Sequence, residues 1–295
     1  MEAGLKPLGR EKFWLWAMLA PTLFGLFFSA FGSLLATLAL SFTRWDLLTP
    51  PQWAGFANYI ALFKDPKNLT SLLNTVRFTA MYVPGVVIVS LLVAVLMNRG
   101  LKGISFFRTA YYLPAVTSAV ATALVWQMIY GKDTGILNYL LESLGLQPVC
   151  WLCTDMALYS VVIVNIWGAI GEGMIIFLAG LTTIPREYYE AAEMDGAKGL
   201  QKFFRITLPL ITPSIFFQTL ISTINAFQAY DYIYMLTRRG QGDSSVPVVV
   251  FSIYRNAWHF SNYGGASAQA IELTLIVAAL MGLYLWLEKR FVVYE

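Results

Sequence analysis

FWLWAMLAPTLFGLFFSAFGSLLATLALSF, the stretch from Phe13 to Phe42, contains no charged residue. About 20 apolar residues suffice to cross the hydrocarbon core of a bilayer, so this run spans it. A soluble core helix would carry a stripe with charged residues at every third or fourth position, and none is present here. A cleaved leader would have a shorter apolar region and a small-residue cleavage site. The run therefore reads as an uncleaved anchor, with the mature chain expected to begin at or near Met1. Composition extends the same reading to the whole chain. Of 295 residues, 58% are hydrophobic and 13% charged, with a mean hydropathy of +0.61. That charged share is about half of what a soluble domain carries.

Five further apolar runs follow, at about residues 74–97, 109–130, 156–181, 208–236 and 268–287. Together with 13–42 they predict an all-α membrane protein of six transmembrane helices, with residues 1–295 forming one transmembrane domain. Arg44 to Leu73 reads as a mixed loop, broken by Pro50-Pro51, Gly55 and Pro66. A longer loop runs from Lys132 to Asp155, and a polar connection, 182–207, lies between the fourth and fifth spans. Lys and Arg gather at the N-terminus (Lys6, Arg10, Lys12), in the second connection (Arg99, Lys102, Arg108), in the fourth (Arg186, Lys198, Lys202, Arg205) and at the C-terminus (Lys289, Arg290). Those twelve face seven on the other side: Arg44, Lys64, Lys67, Lys132, Arg238, Arg239 and Arg255. Positive charge stays on the cytoplasmic side, so both termini are expected there.

Several function classes are excluded by what is missing. A net charge of +3, with no basic stripe interleaved with aromatics, leaves nucleic acid without a surface. Gly131-Lys132-Asp133 lacks the upstream glycine and the hydroxyl of a phosphate-binding loop, whose amides and lysine must hold the phosphates, so this chain does not hydrolyse ATP alone. The single histidine, His259, rules out His-based metal or triad chemistry and reads as a surface residue of an outer loop. No cofactor is expected. Cys150-Trp151-Leu152-Cys153 has the spacing of a local disulfide, half a zinc site or two independent thiols. No second pair and no nearby histidine completes a zinc site; the other two alternatives stay open.

The connection between the fourth and fifth spans is the most informative segment. It reads Ile184-Pro185-Arg186-Glu187-Tyr188-Tyr189-Glu190-Ala191-Ala192-Glu193-Met194-Asp195-Gly196-Ala197 and continues to Ile206-Thr207-Leu208-Pro209. Pro185 suits the first position of a helix, and Glu187 and Glu190 sit where acids complement its positive end. Gly196 can close it, and a second short helix over about 199–205 would lead into the fifth span. Two short helices bent at Gly196 are thus expected at the cytoplasmic face. Ala191 and Ala192 admit close approach and Glu190 can pair with a basic partner, so a docking knob is one use. An amphipathic helix lying in the membrane interface is the other.

Glu190-Ala191-Ala192, three residues, Gly196, nine residues, Ile206, one residue, then Leu208-Pro209 resembles the EAA loop of permease subunits in binding-protein-dependent ABC importers, matching every fixed position. The flanks Phe177-Leu178-Ala179-Gly180-Leu181 and Asp195-Gly196-Ala197 are similar to the carbohydrate-uptake branch, the family of the maltose and glycerol-3-phosphate permeases. So are Ala226-Phe227-Gln228-Ala229-Tyr230-Asp231 and Arg108-Thr109-Ala110-Tyr111-Tyr112-Leu113-Pro114. The resemblance covers roughly Asn74 to Leu287. It implies a complex in the cytoplasmic membrane of a bacterium or archaeon: two different permeases, two copies of a cytoplasmic ATPase subunit and an extracytoplasmic solute-binding protein. The long third loop looks more like the first permease of the pair. Under the resemblance Glu190, Ala191, Ala192, Asp195 and Gly196 couple to the ATPase, and the solute is a sugar or polyol.

A charge at the middle of a bilayer costs at least about 2.5 kcal/mol, so ionisable groups within spans need a reason. Arg77 and Asp231 lie near span ends and read as snorkelling or paired; Glu272 stays undecided. Glu172 is well inside the fourth span, seven residues after Asn165 and so on nearly the same helix face. On the fifth span Gln218, Ser222 and Asn225 form a second polar stripe. Helix-to-helix hydrogen bonding would explain the stripes. So would a solute path lined by Asn165, Glu172, Gln218, Ser222 and Asn225, and the path also explains the carboxylate. The resemblance adds that Asn165, Glu172 and Ser222 fall at spacings from Glu190 like the solute-contact positions of the maltose branch, whereas Ala226 and Ala229 depart from it. An ion-coupled secondary carrier would show an inverted repeat, which six spans do not. A membrane-embedded enzyme would need a catalytic cluster. Neither accounts for the segment around Glu190.

Overall fold

The computed structural model describes residues 9–98, 103–238 and 246–291. Lys6, Arg99, Lys102 and Arg239, used above to orient the chain, lie outside the described residues. Helices α1 (Gly9–Leu26) and α2 (Ser33–Ser41) join through a π-helical turn at Phe27–Gly32 into one apolar helix, Lys12–Ser41. Three of its hydroxyls are satisfied locally: Ser29 donates to Gly25 O, Ser33 to Ser29 O and Thr37 to Ser33 O. Two short strands, β1 (Thr43–Arg44) and β2 (Gln52–Trp53), pair antiparallel, and α3 (Ala57–Lys64) follows. In the turn between the strands Asp46 accepts from the backbone and hydroxyl of Thr49 and from Leu48 N, bonds that hold its carboxyl below the usual carboxylate range.

Helix α4 (Pro66–Met97) begins eight residues before the predicted second span. Pro66, read from sequence as a breaker, instead occupies the first turn, where no amide is needed, and Asp65 caps the helix by accepting from Lys67 N at 2.9 Å. The expected mixed loop, Arg44 to Leu73, therefore contains two strands, a helix and the outset of α4. The third predicted span is two helices, α5 (Ile104–Val116) and α6 (Ala119–Ile129), meeting at 100°. Pro114 removes the amide that would bond Ala110 O, and Thr117 and Ser118 are extended. After α7 (Ile136–Ser143), the fourth span is α8 (Thr154–Thr183). Next come α9 (Arg186–Met194), α10 (Gly199–Lys202), a π-helical turn at Phe203–Thr207 and α11 (Leu208–Leu210). A 67° bend then leads into α12 (Thr212–Phe227). The predicted fifth span, 208–236, ran too far. α12 stops at Phe227 and α13 (Asp231–Arg238) is separate, a break that no glycine or proline announces. The chain closes with α14 (Val249–Trp258) and α15 (Tyr263–Phe291). Among the described residues four helices are long and apolar enough to cross a membrane, or up to six spans if each bent pair counts as one.

Contacts group the described residues into two compact units, one within Met1–Lys64 and Ile253–Glu272, the other within Asp65–Ser252 and Leu273–Glu295. In the first, Asn58 donates from Nδ2 to Ser41 O and Thr43 O, both at 2.8 Å, and Tyr263 N bonds Trp45 O at 3.0 Å. The second unit is built on α4 and α8. Phe78, Val86, Val161 and Val164 pack near one end of these helices, and Ala94, Met174 and Phe177 near the other. Cys150 and Cys153 form a disulfide, which closes the alternative left open by their spacing. Beside it Asn138, buried, accepts from Val149 N and Trp151 Nε1 and donates to Lys132 O and Val149 O.

Candidate functional site

Helix α9 is closed by the geometry that Gly196 was expected to supply. Gly196 has φ +78°, its N–H bonds Glu193 O at 3.0 Å, and Ala197 N–H bonds Ala192 O at 2.9 Å. This double bond pattern is the Schellman closure, and the positive φ selects glycine at its centre. Pro185 sits one position earlier than predicted, as the cap residue before α9. The second short helix starts at Gly199 as predicted, and Lys198 N donates to Gln201 Oε1 across its first turn at 2.8 Å. Glu187, Tyr188, Glu190 and Ala191 are exposed, and Met194 is 91% exposed. Asp195 and Gly196 are exposed at the bend, while Ala192 is half-buried. The face of α9 that holds Tyr189 turns the other way: Tyr189 Oη and Thr207 Oγ1 share a hydrogen bond of 2.9 Å. Lys202 Nζ and Glu193 Oε1 lie 2.6 Å apart.

The two polar stripes have different surroundings. On α8, Gly171 is pressed against the backbone of Tyr111 and Tyr112 in α5, and Gly173 against Ser90 of α4 and Gln218 of α12. Between these contacts Glu172 is exposed; Asn165, half-buried, donates to Val161 O at 2.8 Å. On α12, Gln218 and Ser222 are only 4% and 1% exposed, and Gln218 Nε2 donates to Ser222 Oγ at 3.0 Å. Gln218 Oε1 has no partner among the described residues. Asn225, on nearly the same face as Gln218 but in the last turns of α12, is exposed. The structure thus brings Gln218 and Ser222 together, and leaves Glu172 and Asn225 facing outward from the chain. Asp231 is not in the fifth span; it opens α13, where a carboxylate complements the helix end. Arg77 and His259 are exposed.

Sequence reasoning missed Ser90, Tyr189 and Thr207. Ser90 and the glycine pair around Glu172 matter because three helices meet there. The glycines were visible, but their partners lie in other helices. Tyr189–Thr207 was missed because its two halves stand 18 residues apart. A cleft of about 270 Å³ also opens at the bend between α5 and α6, lined by Ala110, Tyr111, Pro114 and Thr117 with Trp167 and Ile170 of α8.

Comparison with known proteins agrees with this architecture. A solved bacterial alginate ABC transporter, in complex with alginate pentasaccharide-bound periplasmic protein, has a chain that superposes with a TM-score of 0.85 at 23% identity, covering 95% of this chain and 96% of that one. The probable ABC transporter permease protein YesP of Bacillus subtilis is 35% identical over 95% of this chain and 92% of its own length. The trehalose/maltose transport system permease protein MalF of Thermococcus litoralis is 31% identical over 79% of each. The family model for the binding-protein-dependent transport system inner membrane component matches residues 54–293. Six candidate spans, the Glu190 connection and this match over most of the chain agree: the protein belongs to the family of inner membrane components of binding-protein-dependent transport systems.

Proposed function

We propose that this permease subunit of an ABC importer moves a sugar or polyol inward by alternating access, as the first of two different permeases. Two copies of a cytoplasmic ATPase and an extracytoplasmic solute-binding protein complete the complex. The substrates that relatives are named for, trehalose and maltose for MalF and alginate for the solved transporter, support a saccharide. Such relatives leave the ion-coupled carrier without support. In this reading the whole chain acts as one domain with both termini in the cytoplasm, and lipid surrounds the exposed apolar spans.

One observation carries the docking assignment. A short helix, closed by a left-handed glycine, presents Glu190 and Ala191 to solvent while its other face is tied to the start of the fifth span. A groove of the ATPase would receive that exposed face. Glu190→Lys reverses the charge without touching a core contact. It is expected to release the ATPase on co-purification while the chain stays in the membrane; normal ATPase recovery with normal transport would defeat the assignment.

For the solute path we propose Asn165, Glu172, Gln218, Ser222 and Asn225. Glu172 and Asn225 already face outward. Gln218, with its buried free acceptor, and Ser222 would meet solute when α8 and α12 part during the transport cycle.

A further inference from the structure

Docking alone does not move the transport path, because α9 is joined to α12 through a bend. The Gly196 turn is a single left-handed residue with open space around it, and a turn of that kind transmits force only if something spans it. Two contacts do. Lys202 Nζ to Glu193 Oε1, at 2.6 Å, ties α10 back to α9. Tyr189 to Thr207, at 2.9 Å, ties α9 directly to the end of the π-helical turn.

We infer that Tyr189 and Thr207 are the link through which movement of α9 reaches the fifth span. Thr207 is 5% exposed, and its hydroxyl also reaches Lys202 O at 3.5 Å, so it can accept from Tyr189 while donating along its own helix. It closes the π-helical turn Phe203–Thr207, and the 67° bend follows at Ile211, one helical turn further on. π-Helical turns are rare and concentrate where a helix must change state. Displacement applied at Thr207 therefore acts next to the bend, where it changes the direction of α12 most. A cleft of about 360 Å³, lined by Val95, Asn98, Tyr189, Lys202 and Thr207, flanks the pair. Because the cleft leaves that side of Tyr189 unpacked, the hydroxyl pair carries the connection there. On the same helix Glu190 is exposed on the side that would meet the docking partner, so the two sides of α9 divide the work: one receives the push and the other delivers it.

This link rests on the docking reading, and the test separates the two. The full transporter, reconstituted in vesicles with its ATPase and binding protein, is compared with Tyr189→Phe, Thr207→Val, the double variant and Thr207→Ser. ATPase recovery, ATP hydrolysis and solute uptake are measured in each. In both single variants the ATPase stays bound at normal stoichiometry while solute moved per ATP falls by about fivefold, the effect of losing one buried hydrogen bond. The double variant is no worse than either single, and Thr207→Ser, which keeps the hydroxyl, transports normally. Normal solute per ATP in both singles, or losses that multiply in the double, overturns the link. If Glu190→Lys fails to release the ATPase, the docking reading itself falls and takes the link with it.

Discussion

On the proposed solute path, Glu172 is the residue that would most constrain the solute. Two glycines flank it, each at a close helix contact, so the carboxylate alone breaks an otherwise apolar or small-residue surface on that turn of α8. A fixed carboxylate accepts hydrogen bonds from hydroxyl groups and repels anions, which suits a neutral sugar or polyol better than an acidic polysaccharide. Glu172→Gln keeps the shape and removes the charge. It is expected to lower uptake about tenfold at unchanged membrane abundance, since a hydrogen bond to a charged group contributes about 1.5–3 kcal/mol. Asn165→Ala with Ser222→Ala should lower it further. Unchanged uptake kinetics in all these variants would assign both stripes to helix packing.

At the scale of elements, α8 is held by two close approaches of different kind. A Cβ at Gly171 would lie 2.6 Å from Tyr111 O and 2.7 Å from Tyr112 Cα, both backbone atoms of α5. A Cβ at Gly173 would lie 2.5 Å from Ser90 Oγ, which can rotate, and 2.7 Å from Ser90 Cβ, which moves only with α4. Small residues of this sort let membrane helices pack backbone to backbone. Gly171→Ala must therefore displace the backbone of α5, and Gly173→Ala must shift α4 at Ser90, each at about 1–3 kcal/mol. Thermal unfolding in detergent should show a loss for both, and Ser90→Gly combined with Gly173→Ala should lose less than the two single changes added, because the clashing Cβ is gone. Strictly additive losses would mean that Ser90 is not what resists a side chain at Gly173.

For the whole molecule the proposed topology puts Cys150 and Cys153 on the extracytoplasmic side. A membrane-impermeant thiol reagent applied to intact cells should label them only after reduction, because they are paired in a disulfide. Labelling that appears only once the cytoplasmic face is opened would invert the topology and remove the docking model. The disulfide lies beside the Asn138 network, four of whose hydrogen bonds link residues of the loop 131–151, so the loop is a built structure and no mere connector. Sequence alone determined the all-α membrane class, the apolar runs and the Gly196 closure, because hydropathy and left-handed turn chemistry are properties of neighbouring residues. It misjudged the outset of α4 and the end of α12, where Pro66 plays a favourable part and where nothing local marks the break after Phe227. Which polar residues turn inward was decided by tertiary structure alone. Gln218 lies against Gly173 of a helix far away in the chain, and Tyr189 meets Thr207 only because the bend at Gly196 brings them together. Contacts between distant segments depend on how helices pack, and no periodicity within one helix records its neighbours.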